Sequence, residues 1–269
     1  MKAAKVVVIV IVLAIAAVAV VMTLRPQYEP GEVIVFCGGS MVKPMNAVIE
    51  RYAQVSGDKI IISPGGSGEL FEQLRNTPKG DIYVCHDPFM PLGAKEGLID
   101  TWKTVAYMDV VIIVPKGNPK GIKELKDLAT PGIRLGIGNQ TYSTSGNVVK
   151  HVLAKQPYGK DVMKNVRVET KGHQARCNDV AMGTLDAGIV WAAVAHLYRD
   201  KLDIIPIPRD YIDTMTSATY GESDLRNVQV TVGVTKYGKD KPNVLKFYKY
   251  AITEGLKIFE EFGFRTARK

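Results

Sequence analysis

The chain has 269 residues, of which 46% are apolar and 23% are charged. This composition is typical of a globular protein with one large or two small domains. The formal net charge is +8, but three basic residues, Lys2, Lys5 and Arg25, flank an apolar N-terminal run, so the rest of the chain is only mildly basic. It has no dense block of Lys and Arg with interleaved aromatic residues, which argues against a nucleic-acid partner and modestly favours a small anion.

The N-terminal run, residues 6–24, contains no charged residue. As a helix it would be about 28 Å long, close to the thickness of a bilayer core. It has no small-residue cleavage pattern, so residues 1–25 are predicted to form an uncleaved signal anchor, a transmembrane helix, with a cleaved secretory signal as the alternative. The lysines before it place the rest of the chain outside the cytoplasm, in the periplasm or on the outer face of the membrane. Residues 26–32 are predicted to be a linker.

Strands and helices alternate from residue 33 onward. The segments "VIVFC", "KIIIS" and "DIYVC" are nearly continuous apolar runs, which are typical of buried parallel strands. Helices are predicted between them at about residues 41–56 and 69–75, with a short helix near "PLGAKEG". This order predicts an α/β unit with a parallel sheet.

The alternation restarts after "AYMDVVIIVPKGNPKGI". The pattern predicts a helix at "KELKDLA", strands at "IRLGIG", "VRVE" and "AGIVW", and helices at about residues 147–154 and 174–182. A further strand, "NVQVTVGVT", and one long terminal helix, "NVLKFYKYAITEGLKIFEEF", follow. We therefore expect two α/β lobes, the first formed by residues 33–109 and 229–269 and the second by residues 110–228.

Four strand-to-helix junctions are candidates for a ligand site, because ligands of open α/β sheets bind beyond the carboxyl ends of the strands, near helix N-termini. Two junctions contain "GGS", and Ser40 and Ser67 are each expected to act as a helix N-cap. The third places Thr144 and Ser145 before a helix, and the fourth is "GHQARCNDVAMG". Plain capping explains any one of these serines. Their repetition favours a set of neutral donors, without a cation, around a fully ionised oxyanion.

Residues 32–265 are similar to the periplasmic molybdate- or tungstate-binding proteins of ABC importers. The similarity is carried by these junctions together with the segments "VVIIVPKGNPKGIKELKDLATPGIRLGIG", "LDAGIVW" and "KIFEEFGF". The resemblance implies the α/β fold of the type II periplasmic-binding proteins, with two lobes, mainly parallel sheets and a two-strand hinge. It also implies a monomer that captures a tetrahedral oxyanion in an interlobe cleft and delivers it to an ABC permease. No cofactor is expected.

The resemblance also implies a set of ligand-binding residues. Two serines of the family's motif contact the ligand through hydroxyls, and two later residues contact it through backbone amides. By motif position, the predicted ligand-binding residues are Ser40, Ser67, Ser145 and Ala175. The glycines Gly39 and Gly66 of the two "GGS" junctions are predicted to bind the ligand as well, since glycine lets the backbone approach closely.

Trp191 departs from the family's pattern, which has a tyrosine at the end of this strand. Indole has one N–H donor, cannot accept a hydrogen bond and is bulkier than phenol. Two interpretations stay open: Trp191 contacts the ligand, or it packs in the wall of the cleft.

The three cysteines, Cys37, Cys85 and Cys177, allow three interpretations. They could be small buried hydrophobic residues, or Cys37 and Cys85 could form a disulfide across neighbouring strands. Alternatively, all three could border the cleft and bind a soft metal ion or an arsenic species, with His86 and His173 as additional ligands.

An enzyme is not expected. Cys85 and His86 are adjacent on a strand, so their side chains point to opposite faces and cannot form a dyad. No glycine stands two residues after Ser67, so "PGGSGEL" is not a nucleophile elbow. The remaining alternative is an anchored sensor, which would report the ligand to a membrane partner instead of delivering it.

Overall fold

The computed structural model describes residues 31–140, 143–170, 172–212, 214–217 and 221–267. The predicted anchor, residues 1–25, lies outside these residues and stays a prediction. Within the described part of the chain, no helix is long and apolar enough to cross a membrane.

The first sheet has five strands, with four from the N-terminal half of the chain and the last from the C-terminal part. They are β1 (Glu32–Gly38), β2 (Lys59–Gly65), β3 (Ile82–His86), β4 (Ile99–Met108) and β12 (Val228–Thr235), in the spatial order β2-β1-β3-β12-β4. The helices that follow its first three strands are α1 (Val42–Ala53), α2 (Ser67–Asn76) and α3 (Phe89–Lys95). The predicted strand-helix alternation of this half is confirmed.

The second sheet also has five strands and repeats the same pattern. They are β5 (Val110–Pro115), β6 (Leu135–Gly138), β7 (Val166–Thr170), β8 (Ala187–Trp191) and β9 (Leu202–Pro206), in the order β7-β6-β8-β5-β9. Its helices are α4 (Thr144–Ala154), α5 (Gly159–Lys164), α6 (His173–Ala181) and α7 (Ala192–His196). β8 is buried along its whole length, which explains its uninterrupted apolar sequence.

The sheets are mixed but mainly parallel, as expected, because four strands of each sheet run in one direction and one strand runs against them. In the first sheet β1 pairs in parallel with β2 and β3, whereas β12 runs antiparallel to both β3 and β4. The second sheet has the same division, with β5 antiparallel to β8 and β9. The reason is that one strand of each sheet is supplied from outside its βαβ series and enters in the opposite direction.

The passage between the sheets occurs at Asp109, the single residue between β4 and β5. Arg265 fixes this point, because its guanidinium donates two hydrogen bonds of 3.0 Å to the Asp109 carboxylate. The chain returns through a hairpin, β10 (Thr214–Ser217) and β11 (Gly221–Asp224), before β12. The predicted lobe boundaries fall at these two passages, and the division into lobes remains a prediction.

Two predicted helices differ in the structure. The segment predicted as one terminal helix forms α8 (Pro242–Thr253) and α9 (Gly255–Glu261), and Gly255 lies against α1, where an added Cβ would be 3.4 Å from Val48 Cγ2. A Cβ at this distance would make ordinary contact, so the effect of Gly255 is that glycine weakens a helix at this point. The "KELKDLA" segment forms a 3₁₀ helix at Leu125–Ala129.

Candidate functional site

A cavity of about 480 Å³ lies where helix N-termini from both sheets meet. This volume is in the range of small-molecule sites. Its walls are formed by residues at or after the carboxyl ends of β1, β2, β3, β6, β7 and β8: Gly39, Ser40, Gly65, Gly66, Ser67, Gly68, Glu69, Glu72, His86, Phe89, Ser143, Thr144, Ser145, Asn147, His173, Gln174 and Trp191.

The two "GGS" serines line this cavity, but neither acts as the expected N-cap. Ser40 is inside a 3₁₀ turn, Gly39–Met41, that precedes α1. Ser67 is the first residue of α2, and Gly66 occupies the cap position. The capping interpretation is therefore wrong for both, and their hydroxyls are not used to cap a helix.

The Ser67 hydroxyl is an unpaired polar group. Ser67 is 6% exposed, and its Oγ has no hydrogen-bond partner among the described residues. An unsatisfied buried hydroxyl costs about 1–3 kcal/mol. Gly38 makes room for it, since a Cβ added there would lie 2.6 Å from Ser67 Oγ. The fold thus holds a costly donor beside the cavity.

The third junction contributes from the second sheet. Ser143 is the N-cap of α4, and its Oγ accepts a bond of 3.5 Å from the Gly146 N–H. Ser145 is 1% exposed, and its Oγ lies 3.0 Å from Ser143 Oγ. Gly138 lets this helix start close to β6, because an added Cβ would meet Ser145 Oγ at 2.8 Å.

The fourth junction reaches the cavity through residues that differ from the predicted one. His173 and Gln174, at the start of α6, line the cavity. Ala175 is exposed and is not among the lining residues. The backbone contact that was assigned to Ala175 therefore stays a prediction.

Aromatic rings close the cavity between the two sheets. Trp191, at the end of β8, is 1% exposed and lines the cavity. Its ring lies 6.1 Å from the His86 ring and 5.9 Å from the His173 ring, measured between centroids. Phe89 packs on His86 at 6.0 Å. Trp191 is thus part of the wall, and its N–H remains a candidate ligand donor.

Hydrogen bonds assign the protons of the two histidines. His86 Nδ1 lies 2.9 Å from the Asp87 carbonyl oxygen, which can only accept, so Nδ1 carries the hydrogen and a neutral ring keeps Nε2 as an acceptor. His173 Nδ1 lies 2.9 Å from an Arg176 guanidinium nitrogen, which can only donate, so this Nδ1 accepts. Burial lowers the pKa of both imidazoles, which agrees with neutral rings.

Arg176 is a cation that sequence reasoning missed. It is wholly buried behind the cavity wall, whereas the sequence led us to expect neutral donors only. Burial lowers the pKa of Arg176 to about 10, so the side chain is still charged at neutral pH. The signal was present in "HQAR", because residues three apart on a helix lie side by side.

Acidic residues also line the cavity. Glu69 and Glu72 belong to the exposed side of α2, and Glu69 Oε2 accepts a bond of 3.2 Å from the Gly66 N–H. The predicted amide donor Gly66 is thus occupied by an internal carboxylate. The Gly39 backbone lines the cavity as expected.

The structure does not bring the three cysteines together. All are free and buried, and none lines the cavity. Cys37 is paired with Val84, so Cys85, one residue further along β3, points to the opposite face of the sheet. The Cys37–Cys85 disulfide is therefore wrong. Cys177 belongs to α6 of the second sheet, and no group of three or more His, Cys, Asp or Glu side chains among the described residues could hold a metal ion.

The comparisons agree with this geometry. Residues 33–265 match the family model of the bacterial extracellular solute-binding proteins. A putative binding protein of Haemophilus influenzae is 22% identical over 89% of the chain and 93% of its own length. The molybdate-binding protein ModA of Mycobacterium bovis is 25% identical over 65% of the chain and 67% of its own length. A sulfate-binding protein of Salmonella typhimurium is 28% identical over 58% and 56%.

Among solved structures, the periplasmic molybdate-binding protein of Azotobacter vinelandii has a TM-score of 0.69 at 19% identity, covering 88% of the chain and all of the other. This likeness confirms the two-sheet α/β fold of type II periplasmic-binding proteins. The resemblance seen in the sequence is confirmed, and the location is extracytoplasmic. The chain belongs to the bacterial extracellular solute-binding proteins, a family of transport proteins and not of enzymes.

Proposed function

We propose that this protein captures a tetrahedral oxyanion, molybdate or tungstate, in the cavity between its two sheets and delivers it to an ABC permease. The observation that carries the proposal is the Ser67 hydroxyl, which is buried beside the cavity without a hydrogen-bond partner among the described residues. A group of this kind is expected where a ligand supplies the missing partner.

The donors would replace the water shell of the anion. Ser40 and Ser67 approach from the first sheet, and Ser145 approaches from the second. Helix N-termini stabilise negative charge through their free N–H groups and dipoles. Movement of the predicted lobes about the passages at Asp109 and before β12 would bring the two sets of donors together, in the manner of hinge closure.

The preference for molybdate rests on the relatives, and tungstate is included because the sequence resembles the molybdate- or tungstate-binding proteins. A molybdate-binding and a sulfate-binding protein are both similar to the chain, so a tetrahedral dianion is the class that both support. Trp191 removes the hydroxyl that the family's tyrosine would provide and adds bulk. We infer that the protein still binds an oxyanion, and that the indole affects which one.

The test is a binding panel on the purified full-length chain in mild detergent. Molybdate, tungstate, sulfate, phosphate, arsenite and zinc are compared by thermal shift and then by calorimetry. A ligand present at 100 times its Kd adds about 2.7 kcal/mol of stability. Stabilisation by molybdate or tungstate, and not by sulfate, is the expected result.

Responses to the other ligands of the panel would contradict the proposal in distinct ways. Phosphate carries a hydroxyl at neutral pH that the His86 acceptor could bind, so a response to phosphate alone would assign a protonated oxyanion. Stabilisation by arsenite or zinc alone would indicate a thiol site. A response to none of the six would reject this cavity as an inorganic oxyanion site. The predicted anchor, the monomeric state and delivery in preference to sensing are separate parts of the proposal.

A further inference from the structure

His173 and Arg176 form a pair at the start of α6 that none of the predicted ligand contacts includes. His173 is 8% exposed and lines the cavity, and Arg176 is wholly buried one helical turn later. An Arg176 terminal nitrogen lies 2.9 Å from His173 Nδ1. The pair therefore joins a residue of the cavity wall to a cation behind it.

The contact allows one protonation state of the histidine. A guanidinium nitrogen has hydrogens and no acceptor, so Nδ1 must offer its lone pair. An imidazolium would direct an N–H at another N–H, and this contact would be repulsive. His173 is therefore neutral, with its hydrogen on Nε2. Since the Nδ1 side of the ring faces Arg176, the edge that carries Nε2 is left to line the cavity.

Arg176 is itself held in place by neutral acceptors. Its other terminal nitrogen donates to the carbonyl oxygens of Ile137 and Thr170, both at 3.1 Å, and to Thr170 Oγ1 at 2.5 Å. Its Nε has no partner, and Arg176 forms no ion pair within the part of the chain that the structure describes. A positive charge without a carboxylate partner is thus buried directly behind the cavity.

Among the residues that the structure describes, few titratable groups face His173. His86 donates from Nδ1 to the Asp87 carbonyl oxygen and burial lowers its pKa, which favours the neutral ring, and Trp191 does not titrate. In the described part of the chain, the carboxylates that line the cavity are those of Glu69 and Glu72. Burial and the charge of Arg176 both lower the pKa of His173, with a smaller contribution from His86. Protonation of His173 is therefore opposed by burial and by the guanidinium on the Nδ1 side of its ring.

We propose that Arg176 is a positioning residue that fixes His173 as a neutral Nε2–H donor to the bound oxyanion and adds a buried positive charge behind it. This inference rests on the proposed function for the identity of the ligand. Its first consequence, the tautomer, is independent of any ligand. Its second consequence is that the affinity for a fully ionised oxyanion does not change as the pH crosses the range in which histidine usually titrates.

The tautomer is tested by ¹⁵N NMR of the histidine rings in the full-length wild-type protein. The expected spectrum shows one ring with a protonated Nε2 and an unprotonated Nδ1 that does not titrate between about pH 8 and about pH 6. The signal is assigned by its loss in His173→Gln. A His173 ring that carries its hydrogen on Nδ1, or that titrates near its usual pKa, would overturn the proposal.

The ligand contact is tested with two matched variants. In His173→Gln the amide nitrogen can take the place of Nε2, whereas in His173→Asn the shorter side chain reaches only the position of Nδ1. Molybdate affinity should be largely kept by the glutamine variant. It should fall about tenfold to a hundredfold in the asparagine variant, the usual range for a hydrogen bond to a charged group. Equal affinities of the asparagine variant and the wild type would show that His173 is not a ligand donor.

The positioning role is tested by the pH profile of Arg176→Met. Without the guanidinium His173 can gain a proton, so the variant should bind molybdate weakly at about pH 8 and more tightly as the pH falls towards 6, whereas the wild type stays flat. If the Arg176→Met variant does not fold, Arg176→Lys is used in its place, since lysine keeps the positive charge. A flat profile in a folded Arg176→Met variant would overturn the positioning role. If the wild type binds no oxyanion, the proposed function fails, and the NMR result still decides the tautomer.

Discussion

Ser67→Ala should make the protein without ligand more stable and should weaken its binding of molybdate. In the structure Ser67 Oγ is buried without a partner among the described residues, and an unsatisfied buried hydroxyl costs about 1–3 kcal/mol. Removing it should therefore raise the free energy of unfolding by about 1 kcal/mol, since the lost packing of one oxygen offsets part of the gain. For a domain of this size that is about 2–4 °C in Tm. The Ser67 carbonyl, which accepts from the Tyr83 hydroxyl at 2.6 Å, is unchanged.

The same substitution removes a donor to the anion. A hydrogen bond to a charged group contributes about 1.5–3 kcal/mol, so the Kd for molybdate should increase by about tenfold to more than a hundredfold. Calorimetry measures this change, and thermal unfolding without ligand measures the first. The opposite signs are the signature of a donor kept for a ligand.

Ser56→Ala is the matched control. Ser56 does not line the cavity, and its Oγ donates to Asp58 Oδ2 at 2.6 Å and accepts from the Asp58 N–H at 3.2 Å. This variant should be less stable than the wild type and should bind molybdate equally well. If Ser67→Ala behaves in the same way as Ser56→Ala, the unpaired hydroxyl has no role in binding and our reasoning about it is wrong.

Three other predictions concern charge and reactivity. Burial raises the pKa of Asp87 to about 6, so its contribution to stability is present below about pH 4 and is lost as the pH rises through about 6. The stability of Asp87→Asn relative to wild type should thus rise by up to about 3 kcal/mol between pH 4 and pH 7 in urea titrations, and a constant difference would contradict this. Glu69→Gln removes a negative charge from the cavity wall and keeps an acceptor for the Gly66 N–H, so molybdate should bind up to about fivefold more tightly. Weaker binding would contradict this prediction and would show that the carboxylate orders the site. Burial raises the pKa of all three thiols, those of Cys37, Cys85 and Cys177. A disulfide reagent at about pH 8 should therefore label them only after unfolding, and rapid labelling of the native protein would refute their burial.

The sequence was sufficient for the parts of the fold that depend on periodicity and turn chemistry. Apolar runs located β1, β3 and β8 to within one or two residues, because strands buried on both faces exclude polar residues. The direction of β12 and β5 could not be read in this way. A strand has the same apolar pattern in either direction, and only its partners in the sheet determine whether the pairing is parallel.

The sequence predicted the part of the candidate site that is formed by strand-to-helix junctions. Ser40, Ser67, Ser145 and Trp191 all line one cavity, although their role in binding stays a proposal. Arg176 was missed because a buried cation is rare, and its place depends in part on an acceptor from β6, the Ile137 carbonyl, that is distant in sequence. Ala175 was assigned by motif position alone, and its backbone contact with a ligand stays a prediction.

Discrimination between molybdate and sulfate must come from distance and not from charge. Both are tetrahedral dianions that present only acceptor oxygens, so every donor named here, including His173, would bind either one. The anions differ in size, and size is read by the separation between donors on the first sheet and donors on the second. Trp191 stands between the two sheets with its ring against His86 and His173, so its bulk helps to set how far the cavity can close. We therefore expect selectivity to depend on the packing of this ring more than on any single hydrogen bond.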